Sequence, residues 1–344
     1  MSAKVSIIMP AYNAESFIER SVASVLSQTH ENLELIVVND GSRDNTAGVL
    51  AQIAERDSRL KPMTVENGGP ALARNRGLAA ASEDTDYFMF IDSDDELLPD
   101  AIEYAMQGVE RGAELVVMGF SIVSADGSRR DYCEPEQLVS ADSMGERFAD
   151  LYKANLLNQV WGKLYKADII RKANVQFPDY RWGEDRLFIF DCLEQQPDIC
   201  VLPDCKYLYI MQQGESLISR FYDKKFAVCL EIDERIEALC KKFSVQDERV
   251  FRYMFAKSIF SCLTNLFTPS CKLSKGEKKA FVRSVISNER VLRRTKDAVG
   301  GLPVKLLGMV VRSGSVGLNL ICFRMVTASG KIAPKFFMRL KHKK

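Results

Sequence analysis

Tyr87-Phe88-Met89-Phe90-Ile91-Asp92-Ser93-Asp94-Asp95 is five apolar residues that stop abruptly at three carboxylates and a hydroxyl. The apolar part has the length and composition of a strand buried on both faces, and the acids fall in the loop at its carboxyl end. The same plan precedes it three times. Lys4 to Met9 leads through Pro10 into a helical pattern with Phe17, Ile18, Val22, Val25 and Leu26 on one face. Leu35 to Val38 leads through Asn39-Asp40-Gly41-Ser42 into a helix around Ala47 to Arg56, and Leu60 to Val65 leads through Glu66-Asn67-Gly68-Gly69 into a helix near Ala71 to Ala81. Apolar strands alternating with helices predict an α/β fold with a parallel sheet covered on both faces.

In open α/β sheets ligands bind beyond the carboxyl ends of the strands, where loops converge and helix amino termini point. Four polar loops meet on that rim: Pro10-Ala11-Tyr12-Asn13, Asp40-Gly41-Ser42, Asn67-Gly68-Gly69 and Asp92-Ser93-Asp94-Asp95. Each alone has a plain reading: Asn13 and Asp44 as helix caps, Asp40-Gly41 as a tight turn, Asp94-Asp95 as a solvated helix start. Together they describe a site for something polar and sizeable. Asp92 and Asp94, one residue apart at a strand end, can aim oxygen ligands into one crevice. Hard cations such as Mg²⁺ and Mn²⁺ take oxygen ligands and keep positions open for phosphate. No G-x-x-x-x-G-K-[ST] occurs and no G-x-G-x-x-G follows the first strand, which disfavours P-loop nucleotide hydrolysis and dinucleotide-dependent redox chemistry.

Composition narrows the chemistry further. A chain of 344 residues with 47% hydrophobic and 27% charged residues is an ordinary globular protein with room for a large domain plus an appendage. Its nine cysteines include no C-x-x-C pair, against a disulfide framework or zinc ribbon and for a reducing compartment. Two histidines, His30 and His342, leave acid–base work to carboxylates. The amino terminus shows no secretory signal, so the expectation is a cytoplasmic protein. The apolar stretches Leu302 to Val311 and Val316 to Phe323 are far too short to span a bilayer. From Cys271 onward 18 Lys/Arg face 3 Asp/Glu, against 29 and 43 before it, so a basic tail follows an acidic body.

The strand followed by P-A-Y-N, then V-V-N-D-G-S-x-D-x-T, the segment G-G-P-A-L-A-R-N-x-G ending at Gly77, and F-I-D-S-D-D closely resemble the family 2 glycosyltransferases. The likeness is dense over about the first 125 residues. It continues more loosely through Trp161 to Tyr165, Gly183 to Phe188 and Tyr207 to Tyr209. It implies a GT-A fold, a Rossmann-like, mostly parallel sheet flanked by helices, over 1–222, divided into a nucleotide-sugar half (1–125) and an acceptor half (126–222). A helical region (223–344) would follow.

The resemblance also implies roles. Pro10, Ala11, Tyr12, Asn13 and Asp40 would hold a nucleoside, usually uridine, with Tyr12 near the base and Asp40 accepting a base N–H. Asn67, Gly69, Arg74 and Ser93 would complete the nucleotide-sugar site, with Arg74 toward the diphosphate and Asn75 ordering its loop. Asp94 would coordinate Mn²⁺ or Mg²⁺, and Asp92 the ribose or a metal-bound water. Asp185 would be the base of an inverting transfer, with Glu184 behind it or on the acceptor. The pattern departs after Tyr209, where relatives place a basic residue over the diphosphate and this chain reads Ile210-Met211-Gln212-Gln213-Gly214-Glu215-Ser216, with Arg220 the next basic residue. The expected partners are a UDP-sugar, a glycan or lipid-linked acceptor, and an anionic membrane surface met peripherally by the segment Lys331 to Lys344; homo-oligomerisation is left open. Nucleic acid is not expected, since no binding module accompanies the basic tail. Two rivals are a sugar-nucleotide pyrophosphorylase, whose glycine-rich L-x-G-G-x-G-x-R is replaced here by Pro10-Ala11-Tyr12-Asn13, and an inert nucleotide-sugar or glycan-binding protein, which would have lost the carboxylates.

Overall fold

The computed structural model describes residues 2–212, 221–296 and 301–332, the last four of them by backbone alone. Gln213 to Ser216, Arg220 and the segment from Ala333 to Lys344 lie outside the described residues.

The repeated plan appears as β1 (Val5–Ala11), α1 (Ile18–Leu26), β2 (Leu33–Asn39), α2 (Thr46–Ala54), β3 (Leu60–Thr64), α3 (Pro70–Ala80) and β4 (Tyr87–Phe90). All seven residues of β1 and of β2 are buried, as strands sandwiched between helix layers must be. β3 alternates less cleanly and carries Pro62, which suits its place at the sheet edge. Helix α3 lies close on β1 because Gly77 has no side chain: a Cβ there would come within 2.5 Å of Ile8.

Then come β5 (Glu96–Leu97), α4 (Ala101–Glu110), β6 (Leu115–Val123), β7 (Arg129–Tyr132), β8 (Gln137–Val139), α5 (Met144–Lys153), β9 (Lys163–Lys166), α6 (Ala167–Arg171), α7 (Glu184–Glu194) and β10 (Ile199–Ile210). The strand order is β3-β2-β1-β4-β9-β6-β10-β5, with β7 paired to β6 and β8 to β10. The ladders among β1 to β4 are parallel, as is β6 with β10. Only β9 joins these two parallel blocks, antiparallel to both β4 and β6. The sheet is therefore mixed but mostly parallel, with β9 from the second stretch of sequence set between two strands of the first.

The remaining elements are helical: α8 (Lys225–Lys242), α9 (Arg249–Asn265), α10 (Lys275–Ile286), α11 (Glu289–Lys296), α12 (Leu302–Arg312) and α13 (Val316–Ile332). The chain separates into two compact units, Met1–Gln213 with Leu239–Val245, and Gly214–Ala238 with Gln246–Lys344. Among the described residues no helix is long and apolar enough to cross a membrane. Within the second unit Asp233, 1% exposed in its side chain, receives Arg290 at 2.9 Å and Arg294 at 2.6 Å, and Glu237 and Glu248 complete the pairing.

Candidate active site

The first three loops are tied to one another by hydrogen bonds. Asn13, at φ 50°, accepts from the Arg43 N–H at 2.9 Å, and its own N–H donates to Ser42 Oγ at 2.9 Å. Asp44 accepts from the Glu15 N–H and from the N–H and hydroxyl of Thr46, so it ties the first loop to the second. Asn13 caps no helix, and Asp44 stands one residue before the N-cap position of α2 yet satisfies that helix's first N–H, that of Thr46. Asp40 is buried, and its two oxygens accept the N–H groups of Gly68 and Gly69, each at 2.8 Å, while Asn67 Nδ2 donates to the Asp40 carbonyl at 2.7 Å. Asp40 thus first joins the second loop to the third; each of its oxygens retains a second lone pair for a further donor. Pro10 and Ala11 are buried strand residues, whereas Tyr12 is 46% exposed, an aromatic face open to a planar ligand.

The fourth loop holds the charge. Ser93 and Asp94 are half-buried, and Asp95 is 0% exposed. The plain reading of Asp94-Asp95 as a solvated helix start is corrected here: Asp95 accepts from Tyr207 Oη at 2.5 Å and from the Ile210 N–H at 2.9 Å, fastening the loop to β10. The Tyr207 hydroxyl also accepts the Asp92 N–H at 3.2 Å. Its ring stacks on Trp161 at 4.3 Å, and Trp161 stacks in turn on Tyr209 at 5.8 Å, so the aromatic motif residues form a wall behind the acids. Burial, and then the charges of Asp92 and Asp94, push Asp95 well above the carboxylate range. Burial and Asp92 raise Asp94 to about 6. Arg20, whose guanidinium is bonded to Glu96 and the Asp94 carbonyl, offsets only part of that rise.

Across the site Gly183, at φ 88°, turns the chain into α7 and sets Glu184 and Asp185 in the first helical turn. Arg74 connects the two sides. Its guanidinium reaches Asp92 at 2.7 Å, Asp185 at 3.2 Å and Glu184 at 3.8 Å. Burial works against its charge, and Asp185, Asp92 and Glu184 outweigh that penalty. Its Nε is buried and has no hydrogen-bond partner among the described residues. The group rests on Phe177, which stacks on Phe188 of α7 at 4.0 Å and meets Phe90 of β4 edge-on at 5.4 Å. Asn75 fixes Phe177 by two backbone bonds of 2.8 Å. Each such aromatic pair adds about 0.5–1.5 kcal/mol beyond buried area, so the β4 loop and the start of α7 are held together from beneath.

Glu184 is pushed up to about 7 by burial and by Asp185, and Asp185 is raised by burial despite Arg74. A further residue escaped the reading of the sequence. Lys163 is 1% exposed; its ammonium donates to the carbonyls of Gln159 at 2.6 Å and Trp161 at 3.3 Å. Burial lowers it to about 7. Tyr165 Oη donates to the Val160 carbonyl at 2.9 Å, and the Val160 N–H donates to Asp185 at 3.4 Å. Lys163 and Tyr165 therefore shape the turn that touches Asp185. Their only signal in the sequence was the W-G-K-L-Y string.

A divalent cation fits this loop on one observation: Asp94 and Asp92 are like charges in a partly buried crevice, and no side-chain cation pairs with Asp94 among the described residues. The described residues contain no cluster of three or more His, Cys, Asp or Glu arranged for a metal. The donor set is thus two carboxylates at most, which suits an ion that shares its shell with a diphosphate and water.

Sheet order, an acidic loop at the β4 end and an acid pair opening α7 define a GT-A glycosyltransferase fold. The chain belongs to glycosyl transferase family 2, whose pattern matches residues 6–172. An uncharacterised glycosyltransferase of Haemophilus influenzae is 30% identical over 198 residues, 56% of this chain and 72% of the relative. The uncharacterised EpsJ of Bacillus subtilis is 30% identical over 210 residues, 60% of each chain. TuaG of B. subtilis, named for teichuronic acid biosynthesis, is 38% identical over 144 residues, 41% of this chain and 56% of TuaG. The match thus spans less than two thirds of EpsJ and of TuaG. Staphylococcus aureus TarS 1–349, solved with UDP-GlcNAc, superposes with a TM-score of 0.68 at 20% identity, over 95% of this chain and 92% of that one. At that identity the likeness is one of fold.

Proposed function

We propose that this protein is an inverting glycosyltransferase that moves a hexose or N-acetylhexosamine from a UDP-sugar to a hydroxyl of a glycan, polyol-phosphate or lipid-linked acceptor. Its setting is bacterial cell-surface polysaccharide synthesis. The observation that carries the reading is Arg74, which holds Asp92 from the β4 loop and Asp185 from α7 in one ion-pair cluster, so that donor-side and acceptor-side carboxylates share a site. TuaG supports the setting, and the TarS complex supports UDP-GlcNAc as the first donor to try.

Tyr12 covers the uracil ring and Asp40 keeps the loops around it in register. Asp94, with Asp92, holds a divalent cation, Mn²⁺ or Mg²⁺, which when bound neutralises charge on the departing diphosphate. Arg74 lends its positive charge to the donor side through Asp92. Asp185 takes the proton of the acceptor hydroxyl as that oxygen attacks the anomeric carbon opposite the leaving group, which inverts the centre. Burial brings the Asp185 carboxyl closer to neutrality and makes it a better base, while Arg74 keeps it ionised. Glu184, near 7, shares protons with the acceptor side. The protein acts in the cytoplasm or on the inner face of the cell membrane, where the basic segment from Lys331 meets lipid headgroups.

The test is a screen of UDP-sugars with Mn²⁺, read by protection against thermal unfolding and by slow donor hydrolysis. Asp185→Asn is expected to lose about 10³-fold in turnover while UDP affinity stays within about twofold. Near-normal turnover in that variant refutes Asp185 as the base. Donor binding with no transfer to any hydroxyl acceptor makes the protein a binding module instead.

A further inference from the structure

Six of the nine exposed large apolar side chains among the described residues sit on two helices of the second unit: Leu302, Leu306 and Met309 on α12, and Leu318, Ile321 and Met325 on α13. Their spacings, i, i+4, i+7 and i, i+3, i+7, place each trio in a single stripe along its helix. These are not the inward faces. α12 buries Gly308 and Val311, and α13 buries Asn319 and Phe323. Both helices therefore carry apolar stripes on the side turned to water, where an ordinary surface helix is polar.

The hairpin that carries the stripes is fixed. Asn319 Nδ2 donates to the Val310 carbonyl at 2.8 Å and the Ser315 carbonyl at 3.0 Å, stitching the end of α12 to the start of α13. Arg312 is tied to the Thr295 carbonyl at 2.5 Å.

Charge selects the occupant. After Asp297 the sequence contains no acidic residue, while nine Lys/Arg follow it. Lys305 and Arg324 are exposed beside the stripes and make no ion pair among the described residues. A second copy meeting it symmetrically, through the same face, would bring positive charge against positive charge with no carboxylate there to pair it. A bilayer with anionic headgroups matches both properties, since apolar side chains enter the acyl boundary while Lys and Arg reach the phosphates. Neither helix can span it, so both lie in its surface.

We propose that the α12–α13 hairpin is a docking face for an anionic lipid surface. It is separate from the segment beyond Lys331 and from the catalytic chemistry, and its test needs neither donor nor acceptor. The full-length protein is sedimented with extruded vesicles of phosphatidylglycerol and phosphatidylethanolamine, and with vesicles of phosphatidylcholine alone. Wild type is expected on the first and scarcely on the second. Leu306→Gln/Met309→Gln/Ile321→Gln/Met325→Gln should reduce partition at least about tenfold, and Lys305→Glu/Arg324→Glu about tenfold or more, with melting curves and UDP binding unchanged. The proposal is overturned if wild type ignores the anionic vesicles, or if the fourfold variant binds them as wild type does, which assigns any binding to another segment. It is equally overturned if the stripes instead hold a dimer, seen as a wild-type dimer that the fourfold variant dissolves while vesicle binding persists.

Discussion

Two charge clusters in this molecule, each with a buried centre, obey opposite rules. In the helical unit four acids, Asp233, Glu234, Glu237 and Glu248, meet four cations, Arg252, Arg290, Arg293 and Arg294. At the rim of the sheet five acids, Asp92, Asp94, Asp95, Glu184 and Asp185, share two buried cations, Arg74 and Lys163. The balanced cluster ionises readily: burial would raise Glu237, but Arg290, Arg293 and Arg294 hold it below its usual range. The surplus cluster resists ionisation, with Asp94 near 6 and Glu184 near 7. Paired charge of the first kind keeps its members ionised, whereas a surplus maintained against its own repulsion is what a working site is expected to show.

The sharpest way to break this contrast is to remove one arginine from each cluster. Arg74→Met leaves Asp92 and Asp185 uncompensated, and should lower stability by about 3–5 kcal/mol and abolish measurable UDP-sugar transfer. Arg294→Met leaves Asp233 with Arg290 as its remaining partner and should cost less than the about 3–5 kcal/mol of a fully stranded buried charge, and the folded protein should bind UDP as wild type does. Loss of UDP affinity in folded Arg294→Met would collapse the distinction. Lys163→Met comes next: it orphans the Gln159 and Trp161 carbonyls at about 1–3 kcal/mol. Because Lys163 positions the Asp185 turn without touching the donor, kcat should fall further than KM rises.

Acidity gives a subtler comparison. Asp94 titrates near 6 in the fold and near 4 when unfolded, so the folded state binds more protons between those values. Its ionisation therefore costs stability as pH rises from about 4 to about 6. A divalent cation favours the ionised form, so the Mn²⁺-induced rise in Tm should be larger near about pH 7.5 than about pH 5, and Asp94→Asn should erase the difference. The smallest effect is expected at Glu34, away from the site. Burial would raise its carboxyl, but Lys61, Ser6 and Ser82 hold it at about 2. The stabilisation is full above about 4.5 and lost as pH falls toward 2. With Lys61 half-exposed it is worth about 1 kcal/mol or less, which Glu34→Gln should remove from the acid limb of a stability curve.

The strands that place the site were legible because β1, β2 and β4 are runs of apolar residues with polar loops at one end, a pattern few other structures produce. The acid pair at 184–185 was legible from Gly183 and the helical run behind it. What escaped depends on long-range burial. Asp95 looked solvated because three acids stand within four residues, and the groups that satisfy it in the interior, the Tyr207 hydroxyl and the Ile210 N–H, lie 112 and 115 positions away. Lys163 carries a charge that burial statistics send to the surface. The four residues of β9 are too short to announce an antiparallel strand between parallel ones. In α12 and α13 the apolar residues recur on both faces, so periodicity alone could not say which side met water.

β9 carries one more consequence, for how the polypeptide is made. The strands β1 to β4 leave the ribosome well before residues 163–166 exist, so the flank of β4 bearing Phe88 and Met89 waits with its backbone groups open until Tyr165 and Leu164 arrive. A fragment ending at residue 125 keeps that flank bare and invites self-association, whereas expression through β9 closes it.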